Sequence, residues 1–379
     1  MRILITGGLG FIGRTLTRRF LAEGVHEIVL VDTLSEQVHG DNPDYSDITD
    51  DPSVLFMHAD ICCKGVLAEA LKDVDVVYHL AAETGTGQSM YQIEHYYRTN
   101  VTGSAILMEE IVRTNSTRPS HVILSSSRSV YGEGAYIAAN SGDPVNAERH
   151  YPQERTRTAM EVGKFDFEKD GSPMIPVATS ETDPTNPRSL YAASKLAQEH
   201  ICQIACASVG VRYTALRLQN VYGPGQSLRN PYTGIMSIFT NILRQNGRIN
   251  VFEDGLESRD FIFVEDVARA FQAAAELSAT APQIINVGTG QAISVQYMVD
   301  ILAQKMGASD CSFVSGDFRP GDIRHNFADI NLMRDILGVI PQVSLADGLS
   351  QTVDWALTQP VEVDKSTKAT AELKSLLRR

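Results

Sequence analysis

Tyr191 and Lys195 are the pair of residues in this 379-residue chain best suited to acid–base chemistry. On a helix, a spacing of four places both side chains on one face. An ammonium group beside a phenol stabilises the phenolate and lowers the pKa of the phenol, which makes it usable as a general base. Such a pair also arises by chance among 13 tyrosines, so the prediction depends on what precedes it in the chain.

A run of hydroxyl side chains precedes this pair. Ser125, Ser126 and Ser127 follow the apolar segment His121–Leu124, which is predicted to be a strand. Open α/β sheets bind ligands at the carboxyl ends of their strands, so these hydroxyls are candidates for contact with a reacting oxygen. As an isolated feature, a serine cluster is more often a turn.

The N-terminal segment predicts a turn that binds an anion. Gly7, Gly10 and Gly13 follow the apolar run Ile3–Ile5, and a helix is predicted over Phe11–Leu21. The free N–H groups at the start of such a helix favour a dinucleotide pyrophosphate, and glycines let phosphates approach the backbone. The spacing is less common than G-x-G-x-x-G, so a tight turn in another α/β protein is the alternative.

Two acidic residues indicate which dinucleotide binds. Asp32 ends the second predicted strand, 19 residues after Gly13, where an acid accepts from the adenosine ribose hydroxyls. An acid there repels the extra phosphate of NADP, so the predicted cofactor is NAD; a surface acid is the alternative. Asp60, followed by Ile61, either accepts from the adenine amino group or caps the next helix.

A parallel sheet is needed to hold these motifs at one edge. The predicted strands are Ile3–Ile5, Glu27–Asp32, Val54–Met57, Val74–Leu80 and His121–Leu124. Their alternation with helices predicts an α/β fold, a Rossmann-type doubly wound parallel sheet with a smaller C-terminal α/β substrate domain. The predicted parts are an NAD-binding domain over 1–220, a second domain over 221–360 with a segment near 283–288 returning to the first domain, and a surface tail over 361–379.

Composition limits the possible partners. The net charge of −13 disfavours nucleic acid and anionic membranes, because the long-range field would repel them. The sequence has no run long enough for a membrane helix and its start lacks the features of a secretory signal, so a cytoplasmic location is expected. Five cysteines show no metal-ligand spacing, and no metal is predicted; Cys202 and Cys206 are expected to be core thiols.

Taken together, these motifs resemble the extended short-chain dehydrogenase/reductase family, in its nucleotide-sugar epimerase branch. The matching segments are Thr6–Gly13, Asp32, Ser125–Ser127 with Val130–Gly132, and Tyr191 with Lys195. The resemblance implies that Ser127 is the catalytic hydroxyl, Tyr191 the base and Lys195 the lysine that also holds the nicotinamide ribose. The predicted NAD contacts are Gly7, Gly10, Phe11, Ile12, Gly13, Asp32, Asp60, Ile61, Leu80, Ala81, Ala82, Asn100, Tyr191 and Lys195; Asn100 is either a site organiser or a local hydrogen-bonder.

The same resemblance implies that the second domain, over 221–360, binds a nucleotide sugar, and it implies contacts to a dTDP- or UDP-linked sugar. The predicted residues are Glu83, Thr84, Ser127, Arg128, Asn220, Phe252, Arg259, Arg319 and Asp322. An acidic protein needs forked arginines at the anionic end of its ligand, which Arg259 and Arg319 can supply. Taken singly, each of these arginines is more often a surface residue, and Phe252 either packs the nucleobase or belongs to the core.

The implied activity is an NAD-dependent 4-epimerase of an NDP-hexose. The segments Ala82–Met90 and Ser127–Ala135 resemble the bacterial dTDP-L-rhamnose 4-epimerases, which implies dTDP-L-rhamnose as substrate and dTDP-6-deoxy-L-talose as product. The alternatives are an NAD(P)H-dependent 4-ketoreductase of a dTDP-6-deoxy sugar and a catalytically silent NAD-sensing relative. A 4,6-dehydratase is expected to have an Asp-Glu pair where this chain has Arg128 and Ser129.

Two further predictions concern an inserted segment and the oligomeric state. The gap between Tyr131 and Tyr191 is about three times the usual family length, and the extra segment, about 133–181, is either a lid over the sugar or a surface decoration. The resemblance also implies a homodimer through helices near 92–113 and 189–207, whose apolar residues occupy more than one face.

Overall fold

A computed structural model describes residues 1–24, 27–41, 43–114, 118–141, 146–232, 234–319 and 321–361. The predicted surface tail beyond Val361 lies outside the described residues. In the part of the chain that the structure describes, no helix is both long and apolar enough to cross a membrane.

The secondary structure alternates between strands and helices along most of the chain. The strands are β1 Arg2–Thr6, β2 Glu27–Asp32, β3 Val54–His58, β4 Val76–His79, β5 His121–Ser127, β6 Ala135–Ala138, β7 Glu168–Lys169, β8 Ser172–Val177, β9 Arg212–Leu218, β10 Asn220–Tyr222, β11 Ile249–Val251, β12 Ser258–Arg259, β13 Phe261–Phe263, β14 Ile284–Val287, β15 Ile293–Ser294, β16 Ser312–Val314 and β17 His325–Asn326. The helices are α1 Phe11–Ala22, α2 Glu36–His39, α3 Ser46–Thr49, α4 Lys64–Ala70, α5 Thr86–Ser89, α6 Ile93–Tyr96, α7 Ser104–Arg113, α8 Arg157–Glu161, α9 Leu190–Ser208, α10 Ile235–Arg244, α11 Val264–Ala275, α12 Val295–Met306, α13 Asn331–Asp335 and α14 Leu345–Thr358, with a π-helical turn at Tyr97–Gly103 and a 3₁₀ turn at Arg128–Tyr131.

A seven-stranded parallel sheet carries the motifs. Its strand order is β14-β9-β5-β4-β1-β2-β3, and Ile3 of β1 pairs with Ile28 on one side and with Val76 on the other. The order reverses between β1 and β4, which opens a crevice at the carboxyl edge of the sheet. The predicted Rossmann-type fold is confirmed.

Helices cover both faces of this sheet. Ile3 and Ile5 point into a core that includes Phe271 of α11, whereas Leu4 points into the opposite core. Cys202 and Cys206 are fully buried in that second core and are free thiols. Because successive strand residues point to opposite faces, near-continuous apolar strands are what a doubly covered sheet requires.

A smaller α/β unit with its own core follows β9. Its core joins β11 and β13 to α10, α12 and α14 through buried side chains such as Phe239, Phe261, Met298 and Val353. Within this C-terminal half, β14 returns to the large sheet and pairs in parallel with β9.

Three elements differ in detail from the prediction. The serine run belongs to β5 and does not follow it, because Ser125 to Ser127 pair with Leu216 to Leu218 of β9. Strand β4 is shorter than predicted, at Val76–His79. The helix predicted over 92–113 is interrupted by the π-helical turn Tyr97–Gly103.

The inserted segment 133–181 contains a small antiparallel sheet, β6-β8-β7, and helix α8. Its C-terminal end is attached to the rest of the molecule. Thr179 forms a bridge with Ala328, and its carbonyl accepts a 2.9 Å hydrogen bond from Nδ2 of Asn286.

Candidate active site

One cavity of about 1320 Å³ extends from the carboxyl edge of the large sheet to the smaller unit. Every residue predicted to contact cofactor or substrate lines it, except Asn100. Residues far apart in the sequence, from Gly7 to Asp322, therefore face one space.

The glycine turn forms one end of this cavity. Gly7 has a φ of +69°, and a Cβ there would lie 2.8 Å from the backbone nitrogen of Ala81. A Cβ on Gly13 would lie 2.3 Å from the carbonyl oxygen of Gly7. Side chains are therefore excluded, and the bare backbone at the start of α1 fits the pyrophosphate of a dinucleotide.

Asp32 closes the turn against the end of β2. Its Oδ2 accepts a 3.0 Å bond from the backbone of Leu9, and its Oδ1 accepts a 3.0 Å bond from that of Leu34. The carboxylate is only 8% exposed, yet it lines the cavity. An acid fixed at this place suits ribose hydroxyls and disfavours an additional phosphate.

His39 is a neighbour of Asp32 that sequence reasoning missed. Its Nε2 lies 3.6 Å from Oδ1 of Asp32, and its Nδ1 is 2.7 Å from the hydroxyl of Tyr45. Burial lowers the pKa of His39 against the opposing charge of Asp32, which favours the neutral form of the ring at this edge of the cavity. His39 lies in a polar segment without a motif, so the sequence offered no signal for it.

Helix α9 positions the predicted catalytic pair. The hydroxyl of Ser189 accepts a 3.1 Å bond from the backbone of Ala192 and caps the helix. Tyr191 therefore lies in the first turn and Lys195 one turn later. The ammonium of Lys195 is 2% exposed and donates a 2.9 Å bond to the carbonyl of Ser125. Burial lowers the pKa of Lys195 to about 8.

The pKa of Tyr191 differs in direction from the prediction. Burial raises it, while a hydrogen bond with Ser127 and the charge of Arg128 act to lower it. Lys195 donates to a backbone carbonyl, and Arg128 is a cation whose charge acts on the phenol. The role predicted for Lys195 stays a prediction, and the effect of Arg128 was not predicted.

Ser127 is itself held in place by a neighbour. Its Oγ accepts a 2.9 Å bond from the hydroxyl of Ser129 and a 3.2 Å bond from the backbone of Ser129. Ser129 orients Ser127 at the end of β5, and its closeness in the sequence could have indicated this contact.

The prediction that Asn100 contacts the cofactor needs correction. Asn100 is fully buried in the π-helical turn, where its Oδ1 accepts a 2.7 Å bond from the backbone of Glu83. Its Nδ2 donates to the carbonyl of Glu83 at 3.1 Å and to the hydroxyl of Ser194 at 2.9 Å. Asn100 thus organises the site by fixing the loop after β4 against α9.

Arg128 lies directly after the serine in the cavity wall. Its Nε donates a 3.1 Å bond to Oδ1 of Asn220, which fixes the guanidinium. Its Nη1 is buried and has no hydrogen-bond partner among the described residues. Burial lowers the pKa of Arg128 to about 9, and the nearby charge of Arg259 acts in the same direction. A buried donor without a partner is suited to an anionic or hydroxyl-rich ligand.

The other two predicted arginines are used differently. The guanidinium of Arg259 donates to the carbonyls of Ile323 at 2.5 Å and Arg324 at 3.0 Å. Much of its hydrogen-bonding capacity is therefore used to hold the backbone. Arg319 lies over the ring of Phe252, with its central carbon 4.6 Å from the ring centre. These residues line the cavity, and their contact with a nucleotide sugar stays a prediction.

The insertion does not cover the cavity. Of its described residues, 133–141 and 146–181, none lines the cavity. The lid interpretation is therefore not supported, and the insertion packs outside the cavity wall.

Comparison with known proteins agrees with this geometry. The model of the NAD dependent epimerase/dehydratase family matches residues 3–164 and 167–288. The chain is 38% identical to a dTDP-L-rhamnose 4-epimerase from Burkholderia thailandensis over 93% of this chain and 94% of that protein. It is 32% identical to a UDP-glucose 4-epimerase from Mycolicibacterium smegmatis over 94% of this chain and 98% of that protein.

Solved structures show the same architecture. A UDP-glucose 4-epimerase from Thermotoga maritima, solved with UDP-glucose, superposes with a TM-score of 0.75 at 26% identity, covering 94% of this chain and 99% of that one. A UDP-glucuronic acid 4-epimerase from Bacillus cereus, solved with UDP-glucuronic acid and NAD, gives a TM-score of 0.75 at 25% identity, covering 94% and 98% of the two chains. The glycine turn, the Ser127–Tyr191 pair and these matches together show that the chain belongs to the NAD dependent epimerase/dehydratase family, with NAD as its cofactor.

Proposed function

We propose that the protein is an NDP-hexose 4-epimerase that converts dTDP-L-rhamnose to dTDP-6-deoxy-L-talose. The observation that carries the proposal is the continuous cavity, in which the dinucleotide end, Tyr191 and the arginine-rich end share one space. The identity of 38% with the Burkholderia enzyme supports the choice of sugar.

The residues of the chain divide the work of such a reaction. Tyr191 takes the proton of the carbon-4 hydroxyl in its phenolate form, which Ser127 and Arg128 favour and burial opposes, and Ser127 hydrogen-bonds the same oxygen. Lys195, fixed by Ser125, holds the nicotinamide ribose and keeps a positive charge behind the site. The glycine turn and Asp32 would hold NAD, which when bound would supply an acceptor for the hydride of carbon 4 and the donor that returns it to the opposite face of the 4-keto sugar. Net redox change is zero, so NAD stays bound between turnovers.

Inversion at carbon 4 requires the sugar to turn while the nucleotide stays fixed. We assign the fixed end to Arg128, Asn220, Arg259 and Arg319, and the loose end to the small residues around Ala82. In this proposal, residues 1–220 bind the cofactor and residues 221–360 bind the nucleotide, with the segment near 283–288 belonging to the first part.

Replacement of Arg128 by methionine is expected to change the pH profile. The Arg128 charge lowers the pKa of Tyr191, so its removal raises that pKa. The rising acidic limb of kcat/KM then moves to higher pH, and turnover at neutral pH falls about tenfold, equivalent to roughly 1.4 kcal/mol. The measurement is the pH dependence of kcat/KM; Arg334→Met, an exposed change beside Asp335, is the control. If the acidic limb of kcat/KM stays at its wild-type pH, Arg128 does not have this role.

The proposed function is tested with a panel of dTDP- and UDP-sugars, with products identified by NMR. We expect interconversion of dTDP-L-rhamnose and dTDP-6-deoxy-L-talose without added cofactor, and stoichiometric NAD released from denatured protein. Strict consumption of NADH or NADPH would instead support the 4-ketoreductase. Binding of NAD without turnover of any sugar would support the silent relative. Formation of a 4-keto-6-deoxy product would identify a dehydratase, although Arg128 and Ser129 stand where that branch is expected to have an acidic pair.

A homodimer is part of the proposal. Helices α7 and α9 pack against each other, and Ile204 on α9 is 70% exposed. Burial of such a side chain against a second copy contributes about 1.5–3 kcal/mol. Ile204→Arg is expected to shift the protein from dimer to monomer in light scattering, whereas Leu357→Arg, which is also exposed but on α14, is not. A wild-type monomer at micromolar concentration contradicts the dimer.

A further inference from the structure

A cluster of charges around a buried arginine joins the insertion to the cavity wall. Its centre is Arg324, which is 1% exposed. The guanidinium of Arg324 donates to Asp166 of the insertion at 2.8 Å, to Glu253 at 3.0 Å and to Asp254 at 2.7 and 2.8 Å. Two of these carboxylates belong to the smaller unit, and one comes from the insertion.

Two more residues of the insertion hold the same region. Arg155, which is 7% exposed, donates a 2.7 Å bond to Glu253 and a 2.8 Å bond to the carbonyl of Asp322. The carboxylate of Glu133 accepts bonds of 2.9 and 3.1 Å from the backbone nitrogen of Arg324. The segment from Asp322 to Arg324 is therefore fixed from outside by the insertion.

The inner side of that segment belongs to the cavity. Its carbonyls at Ile323 and Arg324 accept from Arg259, and Asp322 and Ile323 line the cavity directly. The carboxylate of Asp322 lies 3.6 Å from the guanidinium of Arg259. A displacement of this segment would therefore displace Arg259 and Asp322 together.

The backbone of Glu253 has an uncommon conformation at the point where the insertion meets the cavity wall. Glu253 lines the cavity beside Phe252 and has a φ of +51°, a left-handed conformation that is uncommon for a glutamate. A residue keeps such a conformation where several surrounding contacts hold it in place. Here the carboxylate is bonded by Arg155 and Arg324, and the side chain is 5% exposed.

We propose that the insertion sets the position of the wall that binds the nucleoside diphosphate, with Arg155 as a positioning residue that acts through Glu253 and Asp322. This inference rests on the proposed function only for the class of ligand, a nucleoside diphosphate. Arg155 does not line the cavity, so its effect on binding is indirect. An insertion that only decorates the surface would have no such effect.

The test compares Arg155→Met, which keeps the apolar stem, with Arg155→Lys and wild type. Kd values for dTDP and UDP are measured by calorimetry, and kcat and KM are measured with the sugar that the panel identifies. We expect Arg155→Met to raise Kd and KM about tenfold while kcat changes less than about twofold, since a buried hydrogen-bonded charge is lost away from the reacting atoms. Arg155→Lys keeps the charge but loses the forked donors, so its Kd and KM are expected to lie between those of wild type and Arg155→Met.

Arg157→Ala is the matched control, because Arg157 is an exposed arginine on α8 paired with Glu161. It is expected to leave Kd and KM unchanged. Kd values for Arg155→Met that equal those of the wild type, or a fall in kcat with unchanged Kd and KM, would overturn the inference. If Arg155→Met does not fold, Arg155→Lys decides, and an unchanged Kd there would overturn it. Failure of the wild type to bind dTDP and UDP would overturn the proposed function as well, which separates the two outcomes.

Discussion

Replacement of Tyr191 by phenylalanine is expected to lower turnover of the sugar nucleotide by about 10²–10⁴-fold, the usual contribution of a general base. The ring remains to fill the cavity wall, and only the hydroxyl that bonds Ser127 is removed. Binding of NAD and of dTDP should therefore stay within about twofold of wild type, because neither interaction depends on proton transfer. The measurements are kcat from product formation and Kd by calorimetry.

Tyr297→Phe provides the control for this change. Tyr297 is 55% exposed on α12 and does not line the cavity, so its variant should keep full turnover. Substantial turnover in Tyr191→Phe would refute the assigned base. An equal loss of NAD binding would show that the change had disturbed the cofactor end of the cavity.

The Gly13→Ala variant is expected to lose bound NAD. The new Cβ would lie 2.3 Å from the carbonyl of Gly7 and 2.7 Å from that of Gly8, and both atoms belong to the backbone. Relief of the overlap must separate α1 from the turn that binds the pyrophosphate. Overpacking of this kind costs about 1–3 kcal/mol, so NAD affinity should fall about tenfold or more. The measurement is the NAD content of purified protein together with the Kd for added NAD.

Gly65→Ala is the matched substitution, because a Cβ at that helical position meets nothing within 4 Å. It should keep NAD content and raise stability slightly, by about 0.4–1 kcal/mol, through the unfolded chain. Circular dichroism of both variants separates loss of NAD from loss of fold. A folded Gly13→Ala protein with wild-type NAD content would show that the turn adapts.

The sequence was sufficient for features that depend on local order. Glycine spacing, apolar strands and the four-residue interval between Tyr191 and Lys195 each leave a short-range pattern, and the structure brings these residues to one cavity. The place of the serines in β5 was not predictable in this way, because pairing with β9 decides it.

Contacts between residues far apart in the sequence could not be predicted from the sequence pattern. The partner of Asn100 is the backbone of Glu83, and the partner of Arg155 is Glu253, which is 98 residues away. The pKa of Tyr191 depends on the depth of burial and on where Arg128 points, and composition carries neither. Polar side chains whose role is to hold other polar groups do not recur at helix or strand spacing. Such residues are therefore recognised only once the fold is known.

The return of β14 to the large sheet has a consequence for the folding of the chain. The strand pairs with β9, but about 65 residues, which include part of the smaller unit, separate the two in sequence. A nascent or truncated chain that stops before residue 284 leaves the hydrogen-bonding edge of β9 uncovered, and open edges promote aggregation. Residues 1–220 alone therefore do not complete the seven-stranded sheet. The sheet is completed only after the smaller unit has been synthesised, so we expect the sheet and the smaller unit to unfold cooperatively in a single transition.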